Sequence, residues 1–540
     1  LGSERTLEKL YNFAHLISDQ DTANTQHLGL LESARNLFSR WSAASSFITP
    51  EILSIPEDKL KHFLEDPCLA DLKRTLREIV RYKPHTLSKD EENLLAQGGE
   101  VFAAPGQIFS QLNNADLEFG SVTVDGSERA LTHGSFMVLL QDRRREVREQ
   151  AFSRYYGVFK SHRNTIAATL AASIKRDVYL SRVRRFPSAL EGSLFGDAVS
   201  PAVYDNLIAA VSDNLAPLHR YYELRKRMLK LPDLQIYDTY VPLVPDVQKK
   251  HPYPDAAQLV ADSLKPLGEE YSKTLRNGLT NARWVDVFEN KGKKSGAYSS
   301  GCYDSPPYIL MNYKEDHLHD IFTLAHEAGH SMHSYFSSRN QPYQDHSYTI
   351  FVAEVASTFN EQLLLKELKT RYRDDKRMLA YLTNQQIDDI KATLYRQTMF
   401  AEFEKTTHDV AEKNQPLTVD VFRSIYRTLL VKYFGSAVSV HEDADLECLR
   451  IPHFYSAFYV YKYATGISAA ITLADKVMSG DKEALRRYLG FLSAGCTKHP
   501  IDLLRDAGVD MGAPEAVSFS LGTFNRLVGE LEQLLPALEN

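Results

Sequence analysis

Seven residues constrain this chain more than any others: Leu324-Ala325-His326-Glu327-Ala328-Gly329-His330, the pattern H-E-x-x-H inside an apolar run that suits a helix. Residues four apart share a helix face, so His326 and His330 can aim two imidazoles at one metal ion with Glu327 beside them. With 18 His in 540 residues, chance yields the pattern on the order of a few hundredths of a time. A fold that uses it must hold this helix rigidly and bring another ligand to it, because a catalytic zinc usually has three protein ligands and one open position.

His333 lies on the same face but two turns from His326, too far along the axis for one ion to span all three. The better source is a second helix, and Phe351-Val352-Ala353-Glu354-Val355-Ala356-Ser357-Thr358-Phe359-Asn360-Glu361 supplies one. Glu354 and Glu361 interrupt an otherwise apolar pattern and share a face two turns apart. One carboxylate can bind metal while the other orients a ligand imidazole. In such a site zinc lowers the pKa of bound water, and Glu327 can take the water's proton as it attacks a carbonyl, then pass it to the leaving amine.

The negative oxygen formed in that attack needs donors. The stretch Arg450 to Gly466 offers His453 with Tyr455, Tyr459, Tyr461 and Tyr463. On a continuous helix Tyr455, Tyr459 and Tyr463 share one face and Tyr461 turns away; an aromatic core helix is the plainer alternative. The segment Lys294-Ser295-Gly296-Ala297-Tyr298-Ser299-Ser300-Gly301 is rich in small residues, and Tyr308 to Tyr313 has strand character. An exposed strand edge here would pair with an extended peptide through main-chain hydrogen bonds; a structural hairpin beside the core fits the same residues.

Elsewhere the apolar spacing is helical and predicts a mainly α chain. Thr6 to about Ser39 reads as two helical segments whose Leu7, Leu10, Tyr11 and Ala14 are core. Short helices follow from Asp58 to about Gln111. Residues 117–126, with β-branched residues and Asp125-Gly126, predict a small hairpin and a boundary between an N-terminal helical lobe, residues 1–120, and a catalytic domain, residues 121–540. Asp142 to Lys175 and Pro201 to Met228 read as long helices, with the Phe and Tyr residues of the first in its core.

Charge and cysteine content narrow the function. A net charge of −7 argues against a nucleic-acid partner, and the clusters Arg143 to Arg145 and Arg182 to Arg185 sit in charge-mixed helical sequence as solvated faces. Cys68, Cys302, Cys448 and Cys496 form no C-x-x-C pair, which fits a reducing, cytoplasmic setting. There is no run of about 18 apolar residues, so no membrane span is expected. Leu1-Gly2-Ser3-Glu4-Arg5 lacks both an initiating Met and a signal-peptide layout.

Taken together, His326 to His333, Phe351 to Glu361, Gly296-Ala297-Tyr298 with Pro307 to Tyr313, and Pro452-His453-Phe454-Tyr455 through Gly466 resemble the oligoendopeptidase F branch of the thimet-oligopeptidase-like zinc metallopeptidases. Phe47-Ile48-Thr49-Pro50-Glu51 and Ala507-Gly508-Val509-Asp510-Met511 extend the resemblance over most of the chain. It implies a multi-lobed helical ellipsoid with a deep central substrate channel, a small β-sheet beside the zinc helix, and residues preceding Leu1. It also implies one Zn2+ per chain held by His326, His330 and Glu354, with Glu361 behind the ligands and Glu327 as general base. His453 and Tyr461 are the implied transition-state donors, with Tyr455 and Tyr459 as alternatives. Substrates would be oligopeptides, held at Gly296, Ala297 and Tyr298 and along the tyrosine run at Tyr455 and Tyr459.

The expected activity is therefore zinc-dependent endopeptidase action on short peptides. A metallo-carboxypeptidase on the same scaffold is the alternative, and a non-catalytic peptide-binding protein the third reading. The aminopeptidase motif G-x-M-E-N is absent.

Overall fold

The computed structural model describes residues 1–244 and 249–538. The mainly α expectation holds: helices carry most of the described chain, and the strands form only small sheets. The chain divides into two compact units, each assembled from three separate stretches. The first comprises Leu1–Pro84, Val247–Tyr372 and Gly466–Met511; the second comprises His85–Asp246, Arg373–Thr465 and Gly512–Asn540. Among the described residues no helix is long and apolar enough to cross a membrane.

In the first unit the helices Gly2–Gln20 and Thr25–Ser45 pack as a hairpin. Asn24 caps the second of them, its side chain accepting from the Gln26 and His27 N–H groups that the helix itself leaves unpaired. A three-stranded sheet has the order Val285–Asp286, Tyr308–Leu310, Tyr298–Ser300. The first pair is parallel and the second antiparallel, with Ser299 opposite Ile309. Two long helices, Leu318–Asn340 and Ile350–Arg371, pack against each other below it. Both are lined by apolar residues at helical spacing, such as Ile321, Leu324, Ala325 and Ala328 in one and Val352, Val355, Ala356 and Phe359 in the other. Asn360 ties them with a buried bond to the Ala325 carbonyl, 3.3 Å, and accepts from the Tyr271 hydroxyl at 3.1 Å.

The second unit contains the predicted hairpin, Ser121–Val124 paired with Ser127–Ala130. Asp125 and Gly126 both have positive φ, 53° and 75°, the two-residue turn whose twist matches that of the flanking strands. The long helix runs Arg145–Val183, 39 residues. Its Phe152, Tyr155, Tyr156 and Phe159 are buried, as expected of core. The predicted single helix from Pro201 to Met228 is two, Pro201–Ser212 and Ala216–Met228. Pro217 explains the break, since it sits in the first turn of the second, where its missing N–H costs nothing.

In the basic clusters Arg143, Arg182 and Arg185 are exposed, as expected of solvated faces, while the others form ion pairs. Arg144 pairs with Asp142 and Asp125, Arg145 reaches Asp238 at 3.1 Å, and Arg184 meets Glu92 at 3.0 Å. Arg182 donates to the Glu412 carbonyl at 2.7 Å.

Candidate active site

The motif helix, Leu318–Asn340, carries His326, Glu327 and His330, and its companion Ile350–Arg371 carries Glu354 and Glu361. The two helices can approach closely because residue 329 has no side chain. A Cβ there would lie 2.5 Å from the Ala356 carbonyl oxygen and 2.6 Å from the Ser357 Cα. That approach brings Glu354 Oε2 to 3.3 Å from His326 Nε2 and 3.6 Å from His330 Nε2. Ligand atoms of His326, His330 and Glu354 all lie within 4.8 Å of one another, a group able to hold a metal ion.

Each of the three side chains is itself held. His326 bonds through Nδ1 to Glu361 Oε1, and a ring N–H of His330 donates to the Ala353 carbonyl. Both contacts leave Nε2 turned toward Glu354. Ser357, one turn on, donates to Glu354 Oε2 at 2.9 Å. These are the anchors that fix ring orientation in a metal site.

The electrostatics fit a cation. Burial works against charge on His326, but hydrogen bonds to Glu354 and Glu361 overcome it and carry the imidazole up to about 10. Burial, reinforced by the charge on His326, pushes His330 down to about 4. Glu354 stays ionised, lowered to about 2 despite its burial, chiefly by its bond to His326. A pocket whose carboxylates favour positive charge, and whose burial keeps His330 neutral, suits a divalent ion bound by two neutral imidazoles and a carboxylate.

Glu327 is 7% exposed. Burial raises its carboxyl to about 7, against the pull of His326. The Ser299 backbone N–H donates to it, and the Ser299 hydroxyl meets that of Ser331 on the motif helix at 2.8 Å. Ser299 was missed in the sequence, although it stands among the small residues of 294–301. His333 is outside the ligand group: it is buried, stacks on Tyr348 at 3.7 Å, and is pushed down to about 3 by burial.

Gly296, Ala297 and Tyr298 lead into the edge strand of the sheet. Asn312 Nδ2 donates to the Lys294 and Gly296 carbonyls at 3.0 and 2.8 Å, shaping the approach. The Tyr298 side chain turns to Asp19, to which its hydroxyl donates at 2.8 Å.

The donor candidates belong to the second unit. His453 stands in a 3-10 turn, Pro452–Tyr455, and Tyr461 opens the helix Tyr461–Met478. The rings of His453, Tyr459 and Tyr463 form a cluster: 6.0 Å from His453 to either tyrosine and 5.4 Å between the tyrosines. Tyr461 is fully buried, its ring 5.1 Å from that of Tyr204. Tyr455 stacks on Phe109 at 4.4 Å and its hydroxyl bonds that of Thr169 at 2.8 Å. The reason is local: Phe458 has φ of 55°, which breaks the helical phase between residues 455 and 461.

Residues 138–523 match the family model of Peptidase family M3, and residues 51–119 that of Oligopeptidase F. Oligopeptidase PepF of Bacillus subtilis is 45% identical over 531 residues, covering 98% of this chain and 79% of that protein. A crystal structure from Chlamydophila abortus matches at TM-score 0.93 and 37% identity, over 99% of this chain and 89% of that one. That of oligoendopeptidase-F from Enterococcus faecium matches at TM-score 0.78 and 37% identity, over 99% and 91%.

Proposed function

Because the chain belongs to peptidase family M3, in its oligopeptidase F branch, we propose that it is a zinc-dependent endopeptidase that cuts internal bonds of short oligopeptides. The observation that carries this reading is the convergence of His326 Nε2, His330 Nε2 and Glu354 Oε2 beside a buried Glu327. In it His326, His330 and Glu354 would hold one Zn2+. A zinc ion so held supplies Lewis acidity, lowering the pKa of water and polarising the scissile carbonyl.

The protein's own groups do the rest. Glu327 takes a proton from the attacking water and hands it to the leaving amine; a carboxyl raised toward neutrality can both accept and release that proton. The Ser299 N–H keeps one carboxylate lobe oriented, so the other faces the reaction. Residues 296–298 contribute backbone, because the Tyr298 side chain is committed to Asp19. His453 with Tyr459 or Tyr463 stabilises the developing oxyanion. The grouping of their rings supports these tyrosines over Tyr461, which is buried against Tyr204.

The reading also keeps an N-terminal segment, residues 1–120, ahead of a catalytic segment, 121–540, supported along the sequence by family models that end at 119 and begin at 138, although the compact units divide the first segment after Pro84. Four free thiols support a cytoplasmic setting.

An internally quenched peptide blocked at both ends tests the proposal, with wild type compared with Glu327→Gln and metal measured in both. Cleavage at internal bonds that falls about 10²- to 10⁴-fold in the variant with metal still bound is expected. Equal activity in the two would sink Glu327 as base. Cleavage only of peptides with a free C-terminus would make the protein a carboxypeptidase.

A further inference from the structure

The first helix, Gly2–Gln20, packs on the second through Ala14 and Tyr11 and also buries polar residues. Its buried residues are Asn12, Ala14, Ser18 and Asp19, while Leu10 and Phe13 are exposed. Of the residues expected as apolar core, Ala14 is buried with Leu31 and Ala34 and Tyr11 packs against them, but Leu10 is exposed. The polar residues hold the helix by hydrogen bonds, and those bonds converge on one distant segment, residues 292–300.

Asp19 Oδ2 accepts from the Tyr298 hydroxyl at 2.8 Å and from Lys294 Nζ at 3.1 Å, and His15 Nε2 lies 2.9 Å from it. The His15 ring stacks on that of Tyr298, 5.5 Å between centroids. The Asp19 carbonyl accepts from the Lys294 N–H at 2.9 Å, and the Thr22 N–H reaches the Gly292 carbonyl at 2.7 Å. At the far end of the strand, the Ser300 hydroxyl donates to Asn12 Oδ1 at 3.1 Å. The helix thus grips both ends of the three-residue edge strand Tyr298–Ser300.

The middle residue of that strand is the one that touches the candidate base. The Ile309 and Met311 N–H groups donate to the Trp284 and Asp286 carbonyls. Tyr308 and Leu310 must therefore face the edge strand, and pair with Ser300 and Tyr298. Ser299 is left with its N–H pointing away from the sheet, on the side of Glu327, and its hydroxyl meets that of Ser331, one turn from Glu327 on the motif helix, at 2.8 Å.

We propose that Asp19 is a positioning residue: by holding Tyr298 it fixes the edge strand so that the Ser299 N–H orients the Glu327 carboxylate. This rests on the reading of Glu327 as base, and its test has an arm that does not depend on activity. Amide hydrogen exchange at Ser299 is measured in wild type, Asp19→Ala, Tyr298→Phe and the double variant, alongside kcat and KM on the blocked peptide. Arg5→Ala is the control, since it removes another contact of the same helix, the ion pair with Asp304.

Asp19→Ala and Tyr298→Phe are each expected to speed exchange at Ser299 about tenfold. Each should lower kcat about tenfold, the worth of one hydrogen bond to a charged group, with KM moving less than about threefold. The double variant should lose no more than either single one, because both act through one contact. Arg5→Ala should change neither quantity. Unchanged exchange at Ser299 in Tyr298→Phe, or additive losses in the double variant, would overturn the proposal. Tyr298→Phe keeps the ring on His15 and decides the matter even where Asp19→Ala does not fold. Wild-type protein that cleaves no peptide would remove the catalytic reading, while the exchange data would still decide the clamp.

Discussion

His326 is bonded on both ring nitrogens to glutamates of the companion helix, Nδ1 to Glu361 and Nε2 to Glu354 at 3.3 Å. Glu361 therefore sets where Nε2 points from the other side of the ring. Glu361→Ala should weaken metal binding about 10- to 100-fold, read by titration against a competing chelator. Affinity equal to wild type would mean that packing alone orients the ring.

Gly329 sits where the two site helices cross. Adding one methyl group forces backbone apart, since its nearest neighbours are the Ala356 carbonyl and the Ser357 Cα. Gly329→Ala should cost about 1–3 kcal/mol and loosen the ligand set, measured by denaturant unfolding and metal content together. Full stability and full metal occupancy would show that the helices can separate cheaply.

Tyr459 and Tyr461 should respond in opposite ways. Tyr459→Phe removes a hydroxyl from the cluster with His453 and is expected to lower kcat by up to about 10²- to 10³-fold. Tyr461→Phe acts inside packed structure and should alter stability more than turnover. Loss of kcat in Tyr461→Phe with Tyr459→Phe active would reverse the assignment.

Glu404 makes stability depend on pH. Its Oε1 accepts the Phe458 N–H at 3.0 Å, while Oε2 is buried with no hydrogen-bond partner among the described residues. Burial, aided by Asp177, holds the carboxyl well above its ordinary 4.5, against the pull of the Phe458 N–H. Below that pH both folded and unfolded chains keep the proton and this group's contribution is full. Above it only the unfolded chain releases the proton, so stability falls as pH rises, by up to about 1.4 kcal/mol per unit. Glu404→Gln should flatten this slope, so that thermal unfolding of variant and wild type diverges in the variant's favour as pH rises above 4.5. Parallel curves would show that Glu404 ionises in the folded chain as it does in the unfolded one.

The candidate ligand group was legible because its signal is local. An i, i+4 pair on one helix and two glutamates seven apart on the next keep their phase through unbroken helices, so counting residues finds the face. The ring cluster of His453, Tyr459 and Tyr463 was not legible, for the opposite reason. The helix begins only at residue 461, and the left-handed backbone at Phe458 resets the phase before it, which no periodicity reveals. Asp19 was hidden by distance: its partner Tyr298 lies 279 positions away, and the apolar residues beside it gave the helix an ordinary look. Ser299 and Ser357 act through a backbone N–H and a short hydroxyl, chemistry that nearly any serine could offer.

The two compact units interleave along the chain, and this bears on how the protein can be made. Residues 1–84 and 247–372 belong with 466–511, and the other unit needs residues beyond 512. A ribosome delivers the chain from its N-terminus at about 5–20 residues per second, so neither unit has its full set of helices until most of the message has been read. Early helices must wait with their docking faces uncovered, and the polar residues that Gly2–Gln20 buries are suited to that wait, since water can stand in for Tyr298 and Lys294 until they emerge.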